Sequence, residues 1–400
     1  MTIASATIAR RLKAGDFNVQ DAFENGIQDI KQHPSLADDS LREGRVSSSI
    51  EKFAEISLFH SFFLTGKLVG PSEIAVCNDD EYIGAILGFA QELSRYAVSC
   101  AIENDVDSIA LCKRVLVELN AKMLEFDFRN GTLRRKFDGL KYALKKLEDI
   151  FYELSLVSSV SSPLGVEMEE SINKKMRLEE SSVPLIAVSE IDEIKARMDV
   201  YDKLREELIK ASRDVQKLSK QSIFSIHRGN LEDGRSKLDT ALNIAENILA
   251  RMGNHSTLRH GAISCCLEEW AEGALFLEWT VSKKVLTKEE LKVINDVEYV
   301  GGLSDFTGEL GRVAVALATK RNIEGVRQIQ QTSSIVLAAL MQLNANGKYS
   351  KKVDAVSTNL RKVEDIVYEL SLLNRGARAG REREQDDVAP FEEKGGSTEE

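Results

Sequence analysis

The chain contains itself twice. A shift of 217 positions lays Arg11 on Arg228, Leu41 on Leu258, Arg42 on Arg259, Glu51 on Glu268, Ala54 on Ala271, Glu55 on Glu272 and Phe59 on Phe276. Without a gap, NDDEYIGAILGFAQELSRYAV (Asn78 to Val98) falls on NDVEYVGGLSDFTGELGRVAV (Asn295 to Val315). After one single-residue gap, KKLEDIFYELSL (Lys145 to Leu156) falls on RKVEDIVYELSL (Arg361 to Leu372). Repeats of 20 to 50 residues would make a solenoid; these are two homologous modules of about 150 residues, each long enough to bury its own core.

Each module has the period of a helix. Phe137, Leu140, Leu144, Leu147, Phe151 and Leu154 recur at spacings of three and four, and so do Tyr299, Leu303, Phe306, Leu310 and Val313. Asn130-Gly131 and Asn346-Gly347 mark the loop before each module's final helix. No alternating strand pattern persists, and only five prolines interrupt 400 residues. The expected fold is all-α, two tandem helical bundle modules. The copies differ at their start. A stripe of Ile191, Ile194, Met198, Tyr201, Leu204, Leu208, Ala211, Val215 and Leu218 predicts a long helix from about Ser189 to Arg228, with Ser189 and Asp192 as a capping pair. The first copy begins too late to contain that helix. The expected organisation is a module over 1–157, a Ser- and Glu-rich linker over 158–187, a second module over 188–375, and a tail over 376–400. The tail's four basic and eight acidic residues predict disorder.

Several function classes drop out. The longest apolar run, Ile335 to Leu343, is far short of the roughly 20 residues that cross a bilayer, so no membrane partner is expected. The first residues lack the apolar core of a secretory signal. Five cysteines without a CxxC pair suggest a reducing, intracellular compartment, and the sequons at Asn130 and Asn254 then occur by chance. Five scattered histidines form no HExxH arrangement. GxGxxG, GxxxxGK[ST] and GxSxG are all absent, leaving nucleotide-cofactor and serine-hydrolase chemistry without support.

The second copy carries two acidic pairs. Glu269 and Glu272 are three apart, Asp305 and Glu309 four apart, so each pair shares a helix face. Two such helices side by side would converge four carboxylates, which cannot all ionise without a counter-charge. Hard oxygen ligands suit Mg2+ or Mn2+, and such an ion lowers the pKa of a water and offsets charge on a phosphoryl oxygen. The same spacing also fits a solvated acidic face, because Glu269 and Glu272 lie opposite the stripe of Leu267, Trp270, Ala271, Ala274 and Leu275. The first copy has Lys52, Glu55, Gly88 and Glu92 at the four matching positions, so it cannot form the same site. That copy instead holds a basic stretch, LRRKFDGLKYALKK, with Arg134, Arg135, Lys136, Lys141, Lys145 and Lys146 interleaved with Phe137 and Tyr142. Cations neutralise phosphates and rings stack on unpaired bases. A helix with aromatics on the core and cations in water would read the same way. The net charge of −11 does not decide between them, since binding depends on the local patch.

At these residues the chain resembles the translin/Trax family. The first copy is similar to translin through LGFAQELSRYAV and NGTLRRKFDGLKYALKKLEDIFYELSL. The second is similar to translin-associated factor X (Trax) through YDKLREELIKASRDVQKLSKQSIFSIHR, EEWAEGALFLEW and DFTGELGR. The resemblance implies an all-helical fold that assembles into a closed octameric shell. It also implies a Mg2+-dependent endoribonuclease, with Mn2+ as a substitute, that cuts single-stranded RNA in RNA silencing or tRNA-fragment processing. The Trax acids are an E-x-x-E pair and a D-x-T-G-E pair, here Glu269, Glu272, Asp305 and Glu309. Translin binds RNA or single-stranded DNA without them, and Arg134, Arg135, Lys136, Lys141 and Lys145 would serve that purpose here. A cytoplasmic location, with the nucleus also open, goes with that reading. The chain departs from the pattern in fusing the two subunits and in lacking the first copy's long helix. The competing expectation is a single-strand binding protein of the translin type without catalysis.

Overall fold

In the computed structural model the offset of 217 reappears as geometry. The structure describes residues 7, 8, 10, 11, 14–32, 42, 44–74, 76–160, 185–343 and 348–386. Their principal helices are α1 (Phe17–Gln32), α2 (Arg45–Thr65), α3 (Asp79–Ile102), α4 (Val106–Met123), α5 (Thr132–Val160), α6 (Val188–His227), α7 (Leu231–Met252), α8 (Ala262–Ser282), α9 (Asp296–Thr319), α10 (Ile323–Met341) and α11 (Lys348–Asp386). No strand occurs among the described residues, and no helix there is long and apolar enough to cross a membrane. The expected all-α fold is what forms. Helices α2 and α8, and likewise α3 and α9, start and end at aligned positions.

The same local chemistry sets those boundaries twice. Asn78 accepts from the Glu81 amide at 2.9 Å while Glu81 accepts from the Asn78 amide at 3.0 Å, a capping box that starts α3. Asn295 and Glu298 repeat it at α9, both bonds at 2.9 Å. Each capping glutamate is buried and takes a charge-assisted bond from an arginine, Arg42 to Glu81 and Arg259 to Glu298. Arg259 reaches the two carboxylate oxygens at 2.8 and 2.6 Å and the Val293 carbonyl at 2.8 Å. One arginine thereby ties the preceding loop to the helix cap.

The chain divides into two compact units, Met1–Lys203 and Leu204–Glu400. In the first, α3 packs against α2, α4 and α5; in the second, α9 packs against α8, α10 and α11, and α7 packs on α8. The division falls within the long helix, all of which the expected boundary put in the second module. Leu185, Ile186, Ile191 and Ile194 are buried in the core of the first unit. The Leu68 amide donates to the Leu185 carbonyl at 2.8 Å, and Arg197 forks onto Asp79 at 2.7 and 2.8 Å. Asp192, expected as a cap partner, accepts instead from Lys122 at 2.8 Å. The apolar stripe of α6 is continuous, so periodicity alone could not show that it serves two cores in turn.

Two other expectations need qualification. Most of the expected linker, 161–184, lies outside the described residues. The tail expected to be disordered from Gly376 is helical as far as Asp386, as the end of α11; 387–400 lie outside the described residues.

Candidate metal and nucleic-acid sites

The acidic site is built where α6, α8 and α9 meet in the second unit. Helices α8 and α9 approach closely because Gly302 has no side chain: a Cβ there would stand 2.7 Å from the Ala271 Cβ and 2.9 Å from the Glu268 carbonyl. The opposite side of α8 is packed as well. A Cβ on Gly273 would meet Leu238 at 2.9 Å, and the Trp270 indole donates to the Leu238 carbonyl at 3.1 Å. A helix covered on both sides has no solvated acidic face. Glu272 is accordingly buried, 8% exposed, and Glu309 is 6% exposed.

Three of the four acids have a cation of their own. Glu269 stands 3.7 Å from Lys220 of α6. Asp305 takes both oxygens to Lys352 of α11, at 2.8 and 3.0 Å. Glu309 lies 2.6 Å from the His227 Nε2, at the end of α6, and 3.2 Å from Arg312. The His227 ring is itself packed on Phe276, centroids 4.6 Å apart. Glu272 alone makes no hydrogen bond or ion pair among the described residues. Burial pushes its carboxyl up to about 8, with the charges of Glu309, Glu269 and Asp305 adding to the rise and Arg312 opposing it. Burial also raises Glu269, against the nearby Lys220 charge. For Lys352, burial opposes the charged form, but the hydrogen bond and charge of Asp305, helped by Glu268, outweigh it and lift the ammonium above the usual lysine range.

The donor set fits a hard divalent ion. An unpartnered buried carboxylate facing three others is a place where a proton or a cation belongs. Among the described residues, however, no three His, Cys, Asp or Glu side chains already converge as a coordination sphere. Asp305 and Glu309 are turned to their cations instead.

The first unit shows what the same frame does with two of the four acids replaced. Lys52, aligned with Glu269, donates to both oxygens of Glu55 at 2.7 and 2.8 Å. Gly88 replaces Asp305, and the Glu55 carboxylate fills its space: a Cβ on Gly88 would come within 2.4 Å of that oxygen. The first copy's cluster is a closed ion pair.

The basic stretch splits on α5. Arg134, Lys141 and Lys145 are exposed and lie along one face with the exposed rings of Tyr142 and Tyr152. Arg135 is exposed beside them and donates to Thr132 at 3.3 Å. Arg134 lies 3.3 Å from Asp138 and 5.7 Å over the Phe137 ring. Lys136 is turned inward, paired with Glu51 and 3.4 Å from the Gly84 carbonyl, and so stands apart from that face.

Four partners of the acids, Lys220, His227, Arg312 and Lys352, go beyond the candidate residues read from the sequence. Lys352 aligns with Lys136 under the one-gap offset, which marks it as the counterpart of a lysine already noted. His227 aligns with Arg10 and had no motif to signal it.

The sequence signature of the family described as Translin family matches residues 42–157 and 203–374. The chain belongs to the translin family. It carries the translin pattern twice, once in each repeat, with the match leaving out 158–202. Chicken translin (Gallus gallus) is 32% identical over 77 residues, 19% of this chain and 34% of that protein. Human translin gives the same 32% over 77 residues. Mouse translin-associated protein X (Mus musculus) is 25% identical over 237 residues, 48% of this chain and 79% of that protein. The chain thus spans about a third of the length of the translins it matches. Among solved structures, apo-NeC3PO matches with a TM-score of 0.43 and 20% identity, covering 48% of this chain and 99% of that one. A duplex RNA complex of AfC3PO matches with a TM-score of 0.43 and 19% identity, covering 46% and 97%.

Proposed function

We propose that the chain is a Mg2+-dependent endoribonuclease acting on single-stranded RNA. Glu269, Glu272, Asp305 and Glu309 would hold the ion, Mn2+ serving in place of Mg2+. The observation that carries this is Glu272, a buried carboxylate without a partner, facing three more acids. When bound there, a divalent ion supplies an activated water and offsets charge building on a phosphoryl oxygen. The chain's own residues prepare for that. His227 and Arg312 fix the rotamer of Glu309. The close approach of α9 to α8 at Gly302 sets Glu309 and Asp305 beside Glu272. The exposed Arg134, Lys141 and Lys145 face, with Tyr142 and Tyr152, would grip the RNA backbone and stack on unpaired bases; single-stranded DNA offers the same chemistry. RNA binding and assembly with translin-type partners also accord with family membership. Replacing Glu269, Asp305 or Glu309 singly by Ala is expected to cut single-stranded RNA cleavage about 10- to 100-fold while the protein stays folded. Parent-like rates in all three variants would refute the assignment.

A second reading has its own observation. The cations already seated on Asp305, Glu269 and Glu309 suit a non-catalytic single-strand binder equally well. The two readings share the basic face. Lys141→Glu with Lys145→Glu should weaken binding of a single-stranded oligonucleotide and flatten its log–log salt dependence by roughly 1.4, from about 0.7 per lost contact. Lys136→Met should leave that slope unchanged, because Lys136 faces Glu51. Retardation gels across a salt series read both.

A further inference from the structure

The two repeats use one lysine position in two ways. In the first unit Lys136 pairs with Glu51 and approaches the Gly84 carbonyl; position 88 offers it no side chain. In the second unit the counterpart of Glu51 is Glu268, and Lys352 keeps that contact at 3.5 Å. Its ammonium has nevertheless moved onto Asp305, with Nζ donating to both carboxylate oxygens at 2.8 and 3.0 Å. Asp305 is one of the two acids that the second copy adds, and its oxygens are the ones Lys352 occupies.

We propose that Lys352 is a resident cation of the acidic site, which holds Asp305 while no divalent ion is present and must withdraw to Glu268 before Asp305 can ligate one. Lys352 is then a positioning residue that sets how tightly the ion is held. Three features support this. A lysine ammonium sits on a flexible four-carbon stem and can change partner without moving the backbone. The resting place after withdrawal already exists, since Lys136 occupies its equivalent on Glu51. A positive charge this close to the site repels a second cation as well as competing for the oxygens. The inference rests on reading the four acids as a divalent-cation site.

The test uses the full chain and Mn2+ alone, with free Mn2+ followed by electron paramagnetic resonance, so no RNA and no turnover enter. Lys352→Met is expected to bind Mn2+ on the order of ten-fold more tightly than the parent. Lys352→Arg, which keeps the charge, should show no tightening. In an Asp305→Asn background, Lys352→Met should change nothing, because nothing is left to compete for. A merely structural lysine would not give that dependence on Asp305. Lys352→Gln serves if the Met variant does not fold. Binding by both neutral variants that is equal to or weaker than the parent's, or tightening that persists with Asp305→Asn, would overturn the inference while leaving the metal site standing. A parent chain that binds no Mn2+ would overturn both.

Discussion

Glu272→Gln is expected to abolish the proposed RNA cleavage and, at the same time, to make the metal-free protein more stable at neutral pH. The loss of cleavage is expected to exceed about 100-fold, because an amide cannot supply the anionic oxygen that the ion requires. The gain in stability follows from the carboxyl being raised from 4.5 to about 8 by burial and by three neighbouring acids. Between those values the folded chain holds a proton on Glu272 that the unfolded chain has released. Stability therefore falls as pH rises from 4.5 toward 8, and above 8 the whole penalty is present. Gln resembles the protonated acid and can donate its amide hydrogens to the surrounding carboxylates. The variant should be about 2–4 kcal/mol more stable than the parent at pH 8 and about equal to it near pH 4.5. Chemical denaturation in chelator across that range checks it. A variant less stable than the parent at pH 8 would show that Glu272 is satisfied in a way that its surroundings do not reveal. A site that weakens its own fold when empty is the pattern of a stability–function trade-off.

Arg259→Met is expected to destabilise the second unit by about 3–5 kcal/mol, the cost of stranding a buried carboxylate. Glu298 is fully buried, and its only cationic partner among the described residues is Arg259. The same side chain holds the Val293 carbonyl, so the loop before α9 loses its tie as well. Arg259→Lys should recover only part of the loss, since an ammonium cannot span both oxygens in the planar fork. Because α9 carries Asp305 and Glu309, cleavage should fail at temperatures where the rest of the chain is still folded. Calorimetry that shows one transition shifting and the other holding would confirm this, and Arg42→Met should shift the opposite transition. A change under 1 kcal/mol would contradict the ion pair's part in the fold.

The sequence carried much of this because the repeat is nearly free of gaps. Arg42 with Arg259 and Asn78 with Asn295 could be paired on paper, and each pair does the same work in its unit. What periodicity could not supply was the packing around each helix. A single-helix wheel put Glu272 opposite its apolar stripe and so allowed it to be solvated. The wheel knows nothing of α6 and α9, which bring His227 onto Phe276 and Glu309 beside Glu272. The stripe of α6 likewise hid the hand-over from one core to the other at Lys203. In the sequence Lys136 is one of a run of cations, and only its contact with Glu51 separates it from Lys141 and Lys145. Lys352 was legible in principle from the alignment of the repeats, but its significance needed Asp305 in space beside it.

Four acids whose strongest feature is an unpartnered Glu272 make one outcome decisive. An end-labelled single-stranded oligoribonucleotide incubated with the full chain should be cut internally in Mg2+ and remain whole in chelator. An oligonucleotide that is retarded but intact in both lanes would contradict the catalytic reading and leave a binding protein in its place.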